Sequence, residues 1–395
     1  MHIHSQTEVN RLKVYIDCQG CDQNFIKQEL TYLSYVRDRL LSDVHVMLVN
    51  QNTGSGGELF TFFFYGQGDL AGNNDTLTLT TDVNNTRDEI RRKQLKIIQL
   101  GLVNYMVKSG YSDQISLDFT SSESMEEEKE KDPWNYWVFS INSSGWFNGQ
   151  EQSNSMSLNG GFNIDRITED WKIESGVWLN YNKSEYYFEE DTITSYRQSQ
   201  WADVSAVKSL TDHFSTGLFT EVNSSLFDNY KLSTSFSPGF EYNIFPYSES
   251  TKRQIRVTYK TGVKHNIYNE ETIYNRLEET LMYERLGVAA KFQEKWGSVS
   301  ASVSGSHYFH NFSINRINFW LSLNLRLFKG FSWRISGNLA LIHDQISLPL
   351  GDASEEEVLL SQRQLQTGYR YWGNTGISYT FGSIYNSVVN PRFGN

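Results

Sequence analysis

The 395-residue sequence predicts a mainly β chain: a small α+β domain followed by a transmembrane antiparallel β-barrel of about 12 strands. Three observations predict it. Long segments after residue 133 alternate apolar and polar residues with period two, the mark of a strand with one greasy and one wet face. Those segments are longer than the roughly 5–6 residues of an average globular strand and match the about 9–11 of a membrane-spanning one. The first 120 residues instead mix helical and strand periods.

Within residues 1–120, Leu12 to Asp17 reads as a short strand, and Asp22 to Leu40 has a helical period through Phe25, Leu30, Leu33 and Val36. Asp43 to Asn50 and Leu59 to Gly66 are strands joined across Thr53-Gly54-Ser55-Gly56-Gly57, and Thr76 to Thr81 is another. Arg87 to Lys108 is an amphipathic helix with Ile90, Leu95, Ile98, Leu102 and Met106, and Gln114 to Phe119 a final strand. The order is β-α-β-β-β-α-β, with helices covering one face of a sheet. Residues 121–132 contain Ser-Met-Glu-Glu-Glu-Lys-Glu-Lys-Asp, which has nothing to bury and reads as a charged linker.

Residues 133–395 hold the barrel. In Arg316 to Leu327, Ile317, Phe319, Leu321, Leu323, Leu325 and Leu327 alternate with Arg316, Asn318, Trp320, Ser322, Asn324 and Arg326. Ile255 to Ile267, Gly297 to His310 and Phe331 to Leu341 repeat the pattern. Strands begin near Trp137, Ser153, Trp171, Ser195, Phe214, Lys231, Gln254, Arg285, Ser298, Arg316, Phe331 and Tyr371; the fourth, around Trp201 to Lys208, is the least regular, and a bulge is expected there. Turns after even strands are mostly short, whereas Asn269 to Leu281 and Pro349 to Thr367 follow odd strands. Barrels of outer membranes have short periplasmic turns and longer external loops, so the N-terminal domain and the C-terminus are expected in the periplasm and the acidic stretch Glu355 to Leu365 outside.

Composition narrows the class. A net charge of −11 argues against a nucleic-acid partner, which calls for a basic stripe. No run approaches the roughly 20 apolar residues of a membrane helix. Ten Trp, 23 Tyr and 24 Phe are many, as interfacial aromatic girdles would require. Met1 to Gln6 is too short and polar for a secretory signal, so the sequence is expected to start near a mature terminus or at a misassigned start.

The last alternating stretch sets Asn374, Gly376, Tyr379 and Phe381 in the order polar-x-Gly-x-x-aromatic-x-aromatic, similar to the closing strand of bacterial outer-membrane β-barrels. More narrowly, the chain resembles a Bacteroidota family of such barrels. The resemblance rests on Asp17-Cys18-Gln19-Gly20-Cys21-Asp22, Tyr35-Val36-Arg37-Asp38-Arg39, Asp43-Val44-His45-Val46, Thr53-Gly54-Ser55-Gly56-Gly57, Asp132-Pro133-Trp134-Asn135-Tyr136-Trp137, Glu241 to Ser250, Gly305 to His310 and Thr380 to Tyr385. It implies an outer-membrane location, contact with outer-membrane lipid and handling by the barrel assembly machinery during biogenesis. It carries no activity and no cofactor with it.

Several constellations invite chemistry. Cys18-x-x-Cys21 lies between a strand and a helix, where redox motifs sit, yet Asp17 and Asp22 oppose a thiolate, and a structural disulfide or buried thiols is the expectation. Two cysteines do not make a zinc site. Thr53 to Gly57 lacks the Gly-Lys-Ser/Thr ending of a phosphate loop and reads as a hairpin. His307, His310 and Ser313 invite a lipid-hydrolase reading, but His307 and His310 fall on opposite faces, and no enzyme is expected.

The luminal charges carry most of the functional information. Arg256, Lys260, Lys264, Lys291, Arg316, Arg326 and Arg334 fall on the inward parity of later strands, and Glu174, Asp203, Glu221 and Glu241 on that of earlier ones. Such walls either set a transverse field that selects polar or anionic solutes or pair across a narrow lumen and fill it. The expected function is passage of a small polar solute or of a periplasmic client, with residues 10–120 as a docking or gating domain that meets an envelope partner. The alternative is a filled barrel that anchors an envelope assembly.

Overall fold

The computed structural model describes residues 11–18, 20–112, 115–116, 132–188, 191–328, 330–351, 354, 360 and 362–382. The N-terminal region comprises β1 (Lys13–Cys18), α1 (Gln23–Glu29), β2 (Ser34–Tyr35), β3 (Val44–Asn52), β4 (Glu58–Gly66), β5 (Asn74–Thr81) and α2 (Arg87–Lys108). Its sheet has the order β2-β1-β3-β4-β5. β1 runs parallel to both neighbours and the remaining pairs are antiparallel.

α2 starts where a capping box forms, the Thr86 hydroxyl accepting from Glu89 N while the Glu89 carboxylate accepts from Thr86 N. Its inner side sets Ile98, Leu102 and Tyr105 against Val14, Ile16, Val44, Val46, Phe60, Phe62 and Phe64. Gly101 permits the closest approach, because a Cβ there would lie 2.0 Å from the Phe64 ring. The first helix is shorter than the period over residues 22–40 predicts. It ends at Glu29 because Ser34 and Tyr35 pair with Lys13 and Val14, and a parallel ladder outbids another helical turn. Leu30, Leu33 and Val36 are buried nonetheless. Of the strand expected at Gln114 to Phe119 only Ile115 and Ser116 are described, and they are not strand; the linker before Asp132 and most of Glu355 to Leu365 lie outside the described residues.

The second region is a twelve-stranded antiparallel sheet in simple up-and-down order. Its first half is β6 (Trp137–Gln150), β7 (Ser153–Ile167), β8 (Trp171–Tyr187), β9 (Thr192–Ser209), β10 (Phe214–Ser225) and β11 (Tyr230–Asn243). Its second half is β12 (Arg253–Tyr268), β13 (Glu278–Glu294), β14 (Gly297–Tyr308), β15 (Asn311–Phe328), β16 (Phe331–Ile342) and β17 (Tyr369–Tyr379). Among the described residues no ladder joins β6 to β17. A cavity of about 540 Å³ is lined by residues from seven successive strands, β8 to β14, so the sheet curls around its polar face.

Neighbours in register keep one parity around that curl: Ser215 faces Glu241, Glu241 faces Thr258, Thr258 faces Gly287 and Gly287 faces Ser304. The opposite parity holds Leu218, Phe236, Met282, Leu286 and Ile317, each 45–58 % exposed. β9 corrects the expected irregularity, since its ladders to β8 and β10 run without a register shift. The irregular look arises because its polar face carries Trp201, stacked 4.7 Å from Trp178, while its outer face mixes Ala202, Val204 and Ala206 with Gln198, Gln200 and Lys208. The shifts that do occur lie near strand ends, at Asn223/Ser225, Tyr230/Leu232, His307/Tyr308 and Arg326/Phe328.

Candidate functional site

The helices cover one face of the N-terminal sheet, and the barrel-like sheet meets the other. Alternation puts Tyr15, Asp17, His45, Met47 and Tyr65 on that second face, and His45 and Met47 are fully buried. The Arg326 guanidinium, near the end of β15, donates to both carboxylate oxygens of Asp17. Arg326 also stands over the Tyr15 ring at 5.8 Å, and Lys295, in the β13–β14 turn, over the Tyr65 ring at 3.9 Å. Gln51 Nε2 donates to Ser250 Oγ at 3.4 Å in the β11–β12 turn. Gly54 approaches the end of β7 so closely that a Cβ would lie 2.7 Å from Ile167 Cβ. One small sheet thus touches four turns of the same mouth.

Electrostatics fix the state of this junction. Burial pushes the Asp17 carboxyl up, but the hydrogen bonds from His45 and Arg326 outweigh it and hold the group below its ordinary range. His45 Nε2 lies 3.4 Å from Asp17 Oδ2, yet burial dominates and pushes its pKa below the ordinary value. Its Nδ1 is buried without a hydrogen-bond partner. The junction therefore holds an ionised Asp17 beside a neutral His45. Cys18 and Cys21 are disulfide-bonded. The bridge closes the turn that follows Asp17, and Asp22 caps α1 through Phe25 N at 2.9 Å and pairs with Arg91 at 3.0 Å. Both aspartates that argue against a thiolate are thus engaged with cationic or backbone donors.

The polar interior holds the predicted charges on one parity. Glu174, Asp203, Glu221 and Glu241 stand on β8 to β11, and Arg256, Lys260, Lys264, Lys291, Arg316, Arg326 and Arg334 on β12 to β16. Register adds Asp165, directly opposite Glu174, and Arg285, directly opposite Lys260. The predicted strand began at Arg285, which hid its parity; continuing the alternation back from Lys291 finds it. Partners form along the wall and at its ends. Arg256 lies 3.5 Å from Glu241 on the adjacent strand, Lys260 sits over the Phe219 ring at 3.2 Å and Lys264 over Tyr230 at 4.9 Å. Arg285 donates to Ser304 at 3.3 Å. Among the described residues Lys291 and Arg334 have no ion-pair partner, and neither do Asp203 and Glu221.

The opposite mouth is stoppered by the chain between β16 and β17. Ile346 enters a cluster with Leu281, Tyr308 and Ile314, and Asp344 accepts from Arg316 Nε at 2.8 and 3.1 Å. Ile273 N donates to Leu348 O at 2.9 Å and Leu350 N to Glu271 O at 2.7 Å. Asn229, in the left-handed region at φ 61°, donates through Nδ2 to Glu270 O and Ser347 O at 3.0 and 2.9 Å. Only the length of the connection marks this stopper in the sequence.

The remaining candidates fall apart. Ser313 Oγ donates to Asn311 Oδ1 at 2.6 Å, while His307 Nε2 lies 2.8 Å from Glu284 on the outer parity, so no Ser–His pair forms. Thr53 to Gly57 is the β3–β4 hairpin, closed by Thr53 N to Gly57 O at 2.9 Å. Asn374 and Gly376 lie on the polar parity of β17, and the Tyr379 ring stacks on Phe381 at 5.5 Å.

No protein-family model and no curated protein matches the chain. Among solved structures, the NanC porin in a rhombohedral crystal form aligns with 61 % of this chain and 99 % of its own, at 6 % identity and a TM-score of 0.29. The β domain of the Bordetella autotransporter BrkA aligns with 62 % of this chain and 98 % of its own, at 10 % identity and a TM-score of 0.27.

Proposed function

We propose that the chain is an outer-membrane β-barrel whose periplasmic N-terminal domain gates a path for a small polar solute or a periplasmic client. Membrane embedding is supported by the exposed apolar residues of the outer parity, such as Leu218, Phe236, Met282, Leu286 and Ile317, since soluble monomers rarely expose contiguous apolar patches larger than a few hundred Å². Pairing of β6 with β17 completes the barrel in this reading, because an open edge does not persist in lipid. The observation that carries the gate is the seating of one domain across the short-turn mouth on Asp17 and Arg326. The charged interior supplies the wet path, with the unpaired cations Lys291 and Arg334 on later strands and the unpaired carboxylates Asp203 and Glu221 on earlier ones setting a field across it.

Heat-modifiable gel mobility after detergent extraction tests the barrel, and conductance in planar bilayers tests the gate, with and without residues 1–125. The expected result is low conductance from the full chain and steady conductance after truncation. A second reading, a filled anchor for an envelope assembly, is favoured by the Ile346 stopper at the other mouth. A heat-modifiable barrel that conducts in neither form decides for it.

A further inference from the structure

Beside the Asp17–Arg326 contact, a cleft of about 420 Å³ opens between the N-terminal domain and the rim of β15 and β16. Lys27, Arg37 and Arg39 line it from the domain. The carboxylates nearby are committed elsewhere: Asp17 to Arg326 and His45, and Asp38 to Leu40 N at 2.9 Å within its own turn. Lys27 and Arg39 have no ion-pair partner among the described residues. Burial and then the neighbouring Arg37 charge push the Lys27 ammonium below its ordinary range.

The floor of the cleft is apolar and continuous with the outer face. Phe328 stacks on Phe331 at 4.7 Å and packs beside Tyr379 at 6.3 Å. Phe328 is 61 % exposed, and Leu40, on the domain side of the same cleft, is 65 % exposed. Cations stacked above an aromatic rim reproduce the order of an interface, charge outside and acyl chain inside. An inorganic anion would satisfy the cations and leave Leu40 and Phe328 bare.

We propose that this cleft seats the phosphate headgroup of an anionic lipid of the periplasmic leaflet, with its acyl chain along Phe328 and Phe331. The proposal rests on the membrane reading above. It makes the lipid a bridge between the domain and the rim, beside the contact that holds the gate.

The test uses the full chain in nanodiscs of phosphatidylcholine with a minor fraction of phosphatidylglycerol, and counts retained lipids by native mass spectrometry. Charge-assisted phosphate contacts predict about tenfold enrichment of phosphatidylglycerol over its bulk fraction. Lys27→Gln with Arg39→Gln should return retention to the bulk ratio, while the charge-preserving Lys27→Arg with Arg39→Lys should keep it, both with unchanged heat-modifiable mobility. Equal retention of the two lipids, enrichment that survives the neutralising variant, or complete displacement by inorganic phosphate overturns the proposal. A chain that does not enter the discs overturns the membrane reading, and the proposal with it.

Discussion

The two mouths of the barrel-like sheet are closed by different physics. At the short-turn mouth a separate domain is held chiefly by one partly buried carboxylate–guanidinium pair, with cations over Tyr15 and Tyr65, one side-chain hydrogen bond and the close approach of Gly54 to Ile167 beside it. At the other mouth the stopper belongs to the sheet itself, and its hold is spread over an apolar cluster, backbone hydrogen bonds and the Arg316–Asp344 pair. A contact concentrated in one ion pair fails when the guanidinium is removed, because the buried Asp17 carboxylate is left uncompensated. A contact spread over many small terms weakens by degrees. The first arrangement suits a part that leaves; the second suits a part that stays.

Arg326→Glu is the strongest way to break this contrast. It places a carboxylate against Asp17 and should cost about 3–5 kcal/mol of docking. The loss is read as failure of a Gln51→Cys to Ser250→Cys cross-link, and the swap of Asp17→Arg with Arg326→Asp should recover part of it. Ile346→Ala should cost about 2–5 kcal/mol in denaturant unfolding of the detergent-solubilised protein, without loss of that cross-link. Asp344→Asn should cost only about 1 kcal/mol, because the apolar cluster and the backbone bonds of the stopper remain. A loss as large as that of Arg326→Glu would erase the contrast between the mouths.

The smallest effect is one of pH. His45 titrates lower when folded than when unfolded, so the unfolded chain takes up its proton first. Stability of the N-terminal domain is therefore full above the ordinary histidine value of about 6.5 and declines as pH falls below it. Asp17, held low, keeps its contribution down to the ordinary carboxylate value of about 3.9 and loses it as pH falls through the folded value. Between pH 7 and 5 the slope in domain unfolding comes from His45, and His45→Gln should flatten it.

Most strands were legible because alternation survives in a one-dimensional string. Trp171, Phe214 and Phe331 begin strands where period two places them. α2 was legible from its period. The run Val44-His45-Val46-Met47-Leu48 also carried a signal, since a strand apolar on both parities needs cover on both faces. The string does not say what the second cover is. Asp17 and Arg326 are 309 positions apart, and nothing local marks either as the other's partner. The same limit hides Asp344, which meets Arg316 through the β15–β16 register that pairs Arg316 with Ile342.

The N-terminal domain enters the sheet at two places. Its chain runs on to β6, the first border strand, while its ion pair holds β15, two strands in from the last border at β17. Between those two places lies the border at which, among the described residues, no ladder joins β6 to β17. Mechanically the domain is a clasp: a load that pulls β6 away from β17 passes through the polypeptide on one side and the Asp17–Arg326 pair on the other. The ring so formed is covalent everywhere except at that pair and at the packing beside it.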